Sequence, residues 1–172
     1  CDNYTVIYNG VNKEHFKNRE KKKNEKINIV THHWSNNKLK GFDMYEAIDR
    51  FVEKNTEFTF TYIGRENGTF NNTEIIDPLF GKSLGEELSK YDVYISGSRY
   101  DPGPNHILES IACEIPTYVH KGGGGAVEFA GIDHSYETID ELFNILESKK
   151  FIKNSFVPQT WSECIESYSA EI

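Results

Sequence analysis

The stretch "YDPGPNHILESIACEIP", residues 100–116, places polar and charged side chains directly ahead of an apolar-periodic run. Prolines and a glycine interrupt the chain here. A helix that begins near Asn105 and His106 presents unpaired N–H groups and the positive end of its dipole to an anion. Glu109 lies one turn beyond Asn105 on the same side, and Asp101 precedes it by seven intervening residues. The stretch therefore indicates either a binding site or an ordinary helix start with two surface carboxylates.

The helix itself is predicted to run from Pro104 to about Cys113. Proline favours the first helical position, and Gly103 can precede it as the cap. The buried stripe of this helix is expected to comprise Ile107, Leu108, Ile111 and Ala112.

The elements that must position these residues follow from the alternation of apolar patterns along the chain. Strands are predicted at 4–12, 27–33, 57–64, 92–98 and 116–120. Helices are predicted within 41–55, 83–91, 121–131, 138–149 and 159–172, and residues 65–74 are predicted to be a loop. This order indicates an α/β fold with a doubly wound parallel sheet, in which ligands bind at the carboxyl ends of the strands. The loops after His33, Gly64, Ser98 and His120 are expected to gather there.

Composition narrows the class of protein. A hydrophobic content of 37% with 13% aromatic residues excludes wholesale disorder. A net charge of -8 argues against a nucleic-acid binder, which needs a basic face. Three widely spaced cysteines suggest neither a disulfide framework nor a zinc cluster, which favours a cytoplasmic location. The charged residues 13–26 are expected to be a solvated connector, although a role at the inner face of a membrane stays open.

Two nucleotide-binding signatures are incomplete. The residues "GKS" at 81–83 end a phosphate-binding loop, but Ile76 occupies the place of its leading glycine. Four glycines at 122–125 follow a predicted strand without completing G-x-G-x-x-G. A glycine run indicates either close backbone approach to a ligand or a flexible surface turn.

A resemblance covers nearly the whole chain. The acid, seven residues and Glu of the opening stretch, followed by "SIACEIP" and "GGAVE", resemble the donor-binding signature of retaining glycosyltransferases of the GT-B fold, family 4 or group 1. "VIYNGVNKEHF" is similar to that family's junction between its two lobes. "LKGFD" resembles the Lys-Gly after the first strand of the second lobe, and "EELSKYDVYISGS" resembles the strand before the acidic motif.

The resemblance implies a Rossmann-like, nucleotide-sugar-binding lobe and a role for each matched residue. Lys40 and Asp101 are implied to be catalytic, Lys40 at the donor diphosphate and Asp101 at the sugar hydroxyls. Glu109 is implied to bind the ribose hydroxyls. The remaining implied or substitute donor-binding residues are Asn105, His106, Ser35, Asn36, Arg65, Gly124 and Gly125. Such enzymes act without a metal, and the donor is expected to be a UDP- or GDP-sugar.

Three departures from the family pattern suggest a divergent subgroup. Asp101 stands where the family usually has Glu, and Glu114 stands where a glycine usually follows the helix. Trp34 occupies the place of the family's phosphate-binding arginine. Ser35, Asn36, Lys38 or Arg65 could donate in its place.

The function that the resemblance implies is transfer of a hexose, with retention, to a glycan, lipid or protein acceptor. Residues 1–26 would be the inter-lobe junction and connector, and residues 27–172 the donor-binding domain. The amino-terminal acceptor lobe is expected to be absent, so this chain alone should transfer no sugar. The alternatives are a non-catalytic nucleotide-sugar-binding or regulatory module of the same fold, and a GT-B-like sugar-nucleotide epimerase.

Overall fold

The computed structural model describes residues 5–20 and 25–170. Its strands span Ile27–His33 (β1), Phe58–Gly64 (β2), Thr73–Ile76 (β3), Val93–Ser96 (β4), Thr117–His120 (β5) and Ser135–Tyr136 (β6). They form one sheet in the order β3-β2-β1-β4-β5-β6, and every neighbouring pair is parallel. The predicted doubly wound parallel sheet is confirmed.

Helices follow or connect most of the strands. They span Phe42–Lys54 (α1), Gly81–Leu88 (α2), Asn105–Ala112 (α3), Gly125–Ala130 (α4), Ile139–Ser148 (α5) and Trp161–Ala170 (α6). The strand order extends from β1 towards β2 and β3 on one side and towards β4, β5 and β6 on the other. The order therefore reverses between β1 and β4, which is where a crevice opens beyond the carboxyl ends of such strands.

Alternating side chains along the central strands supply two hydrophobic clusters, one on each face of the sheet. Val30 and Tyr94 belong to the cluster that packs beneath α2, α3 and α4. Ile29 and Ile95 belong to the cluster beneath α1 and α5, which is rich in aromatic rings. These two layers fix the strand ends against which the candidate site is built.

The predicted strand at 4–12 is wrong in the part that the structure describes. Residues 5–12 form no strand, and Val11 makes one isolated parallel bridge with Thr160. The Val11 N–H donates to the carbonyl of Gln159 at 2.8 Å. This apolar segment therefore packs against the residues before α6 instead of joining the sheet, and residue 4 lies outside the described residues.

The predicted loop at 65–74 ends inside a strand that the sequence did not reveal. β3 begins at Thr73 and lies at the edge of the sheet, and its burial pattern does not alternate clearly. Its start is fixed by the buried Asp49 of α1, whose carboxylate accepts the Thr73 hydroxyl at 2.6 Å and the Asn72 N–H at 2.8 Å. β6 has two residues, which is too short for a periodic pattern.

The residues predicted to be a solvated connector, 13–26, pack partly against the domain. Phe16 is buried in the hydrophobic cluster beneath α2 and α3. Arg19 donates to the carbonyl of Gly85 at 2.9 Å and to the hydroxyl of Ser89 at 3.0 Å. Residues 21–24 of the connector lie outside the described residues, and the domain boundary at residue 26 stays a prediction.

The two cysteines within the described residues, Cys113 and Cys164, are buried and free, and Cys1 lies outside them. Across residues 5–20 and 25–170, no helix has the length and apolar character needed to cross a membrane. After α3, Glu114 adopts a φ of 56°, so the left-handed position expected to favour glycine does hold a glutamate.

Candidate functional site

A cavity of about 390 Å³ opens at the carboxyl ends of the strands, where the strand order reverses. Its volume falls in the range of small-molecule sites, which is about 300–1,000 Å³. One side carries the polar residues His32, Lys40, Asp101 and Glu109, whereas the residues from Pro78 to Phe80 and Leu84 form an apolar side. The cavity can thus hold a ligand with one charged, hydroxylated part and one flat apolar part.

The loop after β1 delivers Lys40 to this cavity. A short 3₁₀ turn over Lys38–Lys40 is capped by the Asn37 side chain, which accepts the Leu39 N–H at 2.9 Å. The next residue, Gly41, has a φ of 86°, and a Cβ there would lie 2.1 Å from the carbonyl oxygen of Gly97. The Lys-Gly pair is therefore explained by close contact between this loop and the end of β4.

Asp101, in the loop between β4 and α3, lies on the polar side of the cavity and pairs with Lys40. The Lys40 Nζ is 2.8 Å from the Asp101 Oδ2, and the two side chains are 23% and 15% exposed. Behind this pair, the Gly125 N–H donates to the Asp101 carbonyl at 3.0 Å, and Gly124 forms an isolated bridge with Asp101. The glycine run thus supports the backbone of Asp101.

Helix α3 supplies the other carboxylate. Pro104 is its N-cap and Asn105 its first residue, so the predicted start, with Gly103 as the cap, is wrong by one position. Asn105 and His106, in the first turn, line the cavity, and the N–H groups of a first helical turn have no intrahelical acceptor in the preceding turn. One turn later, the Glu109 Oε2 accepts a hydrogen bond from the His32 Nε2 at 2.9 Å.

A histidine cluster forms the floor between these groups. The rings of His33 and His106 have centroids 4.7 Å apart. His33 hydrogen bonds with the Tyr45 hydroxyl at 2.5 Å, and His106 with the Ser96 hydroxyl at 3.0 Å. Burial lowers the pKa of both histidines well below the usual value, and the neighbouring histidines and Lys40 lower it further. Both rings are therefore neutral at pH 7.

Burial also acts on the tyrosine that supports this floor. It raises the pKa of Tyr45 to about 12, so the hydroxyl keeps its proton. The same hydroxyl accepts the Gly97 N–H at 3.0 Å. A side chain from α1 therefore ties together the ends of β1 and β4.

The structure brings six of the predicted site residues to the cavity. These are Ser35, Lys40, Asp101, Asn105, His106 and Glu109. The other four lie outside the cavity lining. The Asn36 carbonyl accepts the side chain of Asn67 at 3.0 Å, and the Arg65 guanidinium lies 4.2 Å from the centre of the Trp34 ring. Gly124 and Gly125 lie behind Asp101, and the roles of all ten residues stay predictions.

Sequence reasoning missed three groups at this site. His32 and His33 line the cavity, and the side-chain amide of Asn9 donates to the Asn105 side chain at 2.9 Å. Adjacent histidines at the end of a predicted buried strand were the available signal. The apolar side of the cavity at 78–80 gave no signal, because it comes from an irregular segment after the unpredicted β3.

Within the described residues, no group of three or more His, Cys, Asp or Glu side chains is arranged to hold a metal ion. That a reaction at this site needs no metal ion stays a prediction, because the arrangement of these side chains does not test a reaction.

Solved structures show which fold this is. The sequence matches no protein-family model and no curated protein. The carboxy-terminal domain of the glycosyl transferase group 1 family protein LpcC from Francisella tularensis is 16% identical, with a TM-score of 0.66 over 93% of this chain and 98% of that domain. Sucrose-phosphate synthase from Thermosynechococcus elongatus is 13% identical, with a TM-score of 0.68 over 84% of this chain. The pneumococcal O-GlcNAc transferase GtfA, in complex with UDP and GlcNAc, is 12% identical, with a TM-score of 0.64 over 96% of this chain.

The lengths of these proteins differ from that of the chain. The chain spans 42% of the length of sucrose-phosphate synthase and 37% of that of GtfA, but nearly all of the LpcC domain. The order of strands, the reversal between β1 and β4 and the cavity at that point agree with the lobe that the motif resemblance implied. The chain has the Rossmann-like fold of the carboxy-terminal domain of GT-B, group 1 glycosyltransferases.

Proposed function

We propose that this domain binds the nucleoside-diphosphate sugar donor of a retaining hexosyltransferase, with UDP- or GDP-sugars as the donor class. One observation carries the proposal. Asp101, Glu109 and Lys40 converge on a single cavity at the reversal of strand order. The glycosyltransferases that share the fold support it, and one of them, GtfA, was solved with UDP.

The cavity has a suitable partner for each part of the donor. The carboxylate of Glu109 accepts hydrogen bonds from the ribose hydroxyls, because an ionised carboxylate is an acceptor alone. The base packs on the apolar side near Leu79 and Phe80. The diphosphate lies between Lys40 and the first turn of α3, where a cation and free N–H groups meet it.

The sugar end of the donor lies near Asp101. When the bond between the anomeric carbon and the β-phosphate oxygen breaks, negative charge develops on that phosphate. Fixed donors stabilise this charge most when they already point at it. In the structure the Lys40 Nζ is held 2.8 Å from the Asp101 Oδ2, and both residues line the cavity. The reaction is proposed to need no metal ion.

The acceptor is proposed to bind a second, amino-terminal lobe that closes over the donor. The chain spans less than half the length of sucrose-phosphate synthase and GtfA, which leaves room in such proteins for that lobe. Lobe closure excludes water and aligns the attacking hydroxyl, which can lower a barrier by about 7–11 kcal/mol. This chain alone is therefore expected to bind the donor without transferring sugar. A cytoplasmic location and contact with a membrane stay predictions.

Calorimetry tests the donor class. The 172-residue chain is titrated with UDP, GDP and their glucose conjugates, with and without EDTA. We expect 1:1 binding of one nucleotide series, unchanged by EDTA, and no sugar transfer to a pool of acceptors by mass spectrometry. Absence of binding by every nucleoside diphosphate at millimolar concentration would contradict the proposal. Robust transfer by the chain alone would contradict the two-lobe argument.

A second candidate function is a non-catalytic nucleotide-sugar-binding module. It is favoured by Trp34, which stands where the family has its phosphate-binding arginine, and by Arg65, which is stacked on that ring instead of lining the cavity. The two candidates differ in turnover. Donor hydrolysis or transfer by a protein that also contains an acceptor lobe supports the enzyme, whereas tight donor binding without turnover supports the module.

A further inference from the structure

The side chain of His32 is held in place by a hydrogen bond and by two aromatic rings. It is 8% exposed at the end of β1, and its Nε2 lies 2.9 Å from the Glu109 Oε2. Its backbone N–H donates to the Tyr94 hydroxyl at 3.1 Å. The His32 ring packs edge-on against Tyr94 and His106, with centroid distances of 5.5 Å and 6.1 Å. The ring therefore cannot turn away from Glu109 without disturbing both aromatic neighbours.

The hydrogen bond to Glu109 also places a proton on one ring nitrogen of His32. A carboxylate accepts, so Nε2 is the donor. The other nitrogen, Nδ1, is buried without a hydrogen-bond partner in the part of the chain that the structure describes. Leaving a buried polar atom unpaired is unfavourable. The arrangement thus sacrifices one hydrogen bond of the imidazole to keep the other directed at the carboxylate.

Glu109 itself depends on this contact for its orientation. Its side chain is 24% exposed and lines the cavity, and a glutamate has three rotatable bonds that water alone would leave free. With Oε2 held by His32, the carboxylate keeps one rotamer and retains lone pairs for a second partner. A preset acceptor loses less conformational entropy when a ligand binds.

We propose that His32 is a positioning residue for ribose recognition: it orients the Glu109 carboxylate towards the 2′- and 3′-hydroxyls of the nucleotide. The inference rests on the proposed function, because it assigns the ribose to Glu109. It adds that discrimination between ribonucleotides and their deoxy analogues depends on a residue of β1 that need not touch the ligand. A merely structural histidine would lower the affinity for both kinds of nucleotide alike.

The test is a comparison of ribose discrimination between variants. The chain is titrated with UDP and 2′,3′-dideoxy-UDP, and with GDP and 2′,3′-dideoxy-GDP, and the series that binds more tightly is used. We expect the unaltered chain to prefer the ribonucleotide by about 10-fold or more, as for hydrogen bonds to a charged acceptor. In His32→Leu this preference should fall to about 2-fold, because the ribonucleotide loses affinity and the dideoxynucleotide does not.

Two further variants make the outcome decisive. His32→Gln keeps an N–H donor at about the reach of Nε2, so it should restore most of the preference. Glu109→Gln should abolish the preference whether or not His32 is present. Circular dichroism checks that each variant is folded. An unchanged preference in folded His32→Leu, or an equal loss for both nucleotides, overturns the positioning role while the proposed function stands. A full preference in Glu109→Gln overturns the assignment of the ribose to Glu109 and this inference with it, while donor binding stands. No nucleotide binding at all by the unaltered chain overturns the proposed function.

Discussion

The two carboxylates of the acidic motif lie on one cavity, but the protein holds them in different ways. Asp101 is in a loop, where its side chain pairs with Lys40 and its backbone rests on Gly124 and Gly125. Glu109 is inside α3, a helix whose Ile107, Leu108 and Ile111 are buried in the core. Its side chain accepts a hydrogen bond from His32 on the central strand β1, whereas Asp101 pairs with a lysine.

The two carboxylates should therefore respond differently to substitution. At the loop end of the site, around Asp101, a charged pair depends on a backbone that Gly124 and Gly125 support. Substitutions there should alter both the position of Asp101 and its pairing with Lys40. The helix end is anchored by apolar packing, so substitutions of its polar side chain should alter binding without unfolding the domain. The following changes would break or sharpen this contrast, from the largest expected effect to the smallest.

Gly124→Ala should be the most damaging change at the loop end. Gly124 has φ 65° and ψ -127°, and an added Cβ would lie 2.8 Å from the Asp101 carbonyl oxygen. Non-glycine residues are strained in this backbone region by about 1–3 kcal/mol, and the contact adds to the strain. Chemical denaturation should show a loss of at least about 2 kcal/mol in the free energy of unfolding.

Gly103→Ala is the matched control for this prediction. Gly103 lies in the loop of Asp101, two residues after it, and its φ is not positive. The nearest atom to an added Cβ there is a side-chain nitrogen at 3.3 Å. It should change the free energy of unfolding by less than about 1 kcal/mol. Equal stability of the two variants would show that the glycine run does not support Asp101.

Lys40→Gln should cause the largest loss of ligand binding. It removes the cation that the proposal places at the diphosphate, and hydrogen bonds to charged groups contribute about 1.5–3 kcal/mol, or roughly 10- to 150-fold in affinity. Calorimetry with UDP or GDP measures the loss, which should shrink in high salt. Lys38→Gln, in the same 3₁₀ turn but outside the cavity lining, should bind as the unaltered chain does. Equal behaviour of the two variants would remove Lys40 from the site.

Glu109→Gln should weaken binding of the free nucleoside diphosphate by about 10-fold, since one charged acceptor for the ribose is lost. Asp101→Asn should change the same affinity by less than about 3-fold. Asp101 is proposed to contact the sugar, and its neutralisation releases Lys40 for the phosphates. A greater loss in Asp101→Asn than in Glu109→Gln would reverse the assignment of the two carboxylates.

The buried histidines predict how stability depends on pH. His33 and His106 have a pKa well below the usual value of 6.5 in the folded chain because they are buried, so below pH 6.5 the unfolded chain binds more protons. Stability should therefore fall as the pH falls, by roughly 1 kcal/mol per histidine between pH 6.5 and 5.5. The carboxyls of Asp43 and Asp49 have a pKa below 3.8, so their contribution is lost at lower pH than this window.

Denaturation of the unaltered chain and of His106→Gln at pH 7.5, 6.5 and 5.5 measures this effect. The glutamine can still bond with Ser96, and the variant should lose roughly 1 kcal/mol of the fall in stability between pH 6.5 and 5.5. His33 and His120, whose pKa values burial also lowers, should account for the rest of the histidine contribution. Parallel curves for the two proteins would mean that His106 takes up a proton in the folded chain as readily as in the unfolded chain. The floor between the two carboxylates would then carry charge at the lower end of this pH range.

The sequence determined most of the fold. Apolar patterns predicted strands β1, β2, β4 and β5 and the helices near them. Such patterns are visible in the sequence because the residues on the buried face of a helix or strand must be apolar. It also placed the loops that contain Lys40 and Asp101 at one edge of the sheet, because loops that follow parallel strands meet there. The resemblance to group 1 glycosyltransferases implied that these two residues share a site with Glu109, and all three line one cavity. The edge strand β3 was not predicted, because its start is fixed by Asp49 of α1 and not by a hydrophobic pattern of its own.

Tertiary structure alone decided which side chains of the site pair with each other. No pattern in the sequence pairs Glu109 with His32 across 77 positions, or Lys40 with Asp101 across 61. These contacts depend on the order of strands and on the close approach of Gly41 to Gly97. The neutral state of the buried histidines likewise arises from packing, because burial and neighbouring charges set a pKa and both are properties of the folded chain.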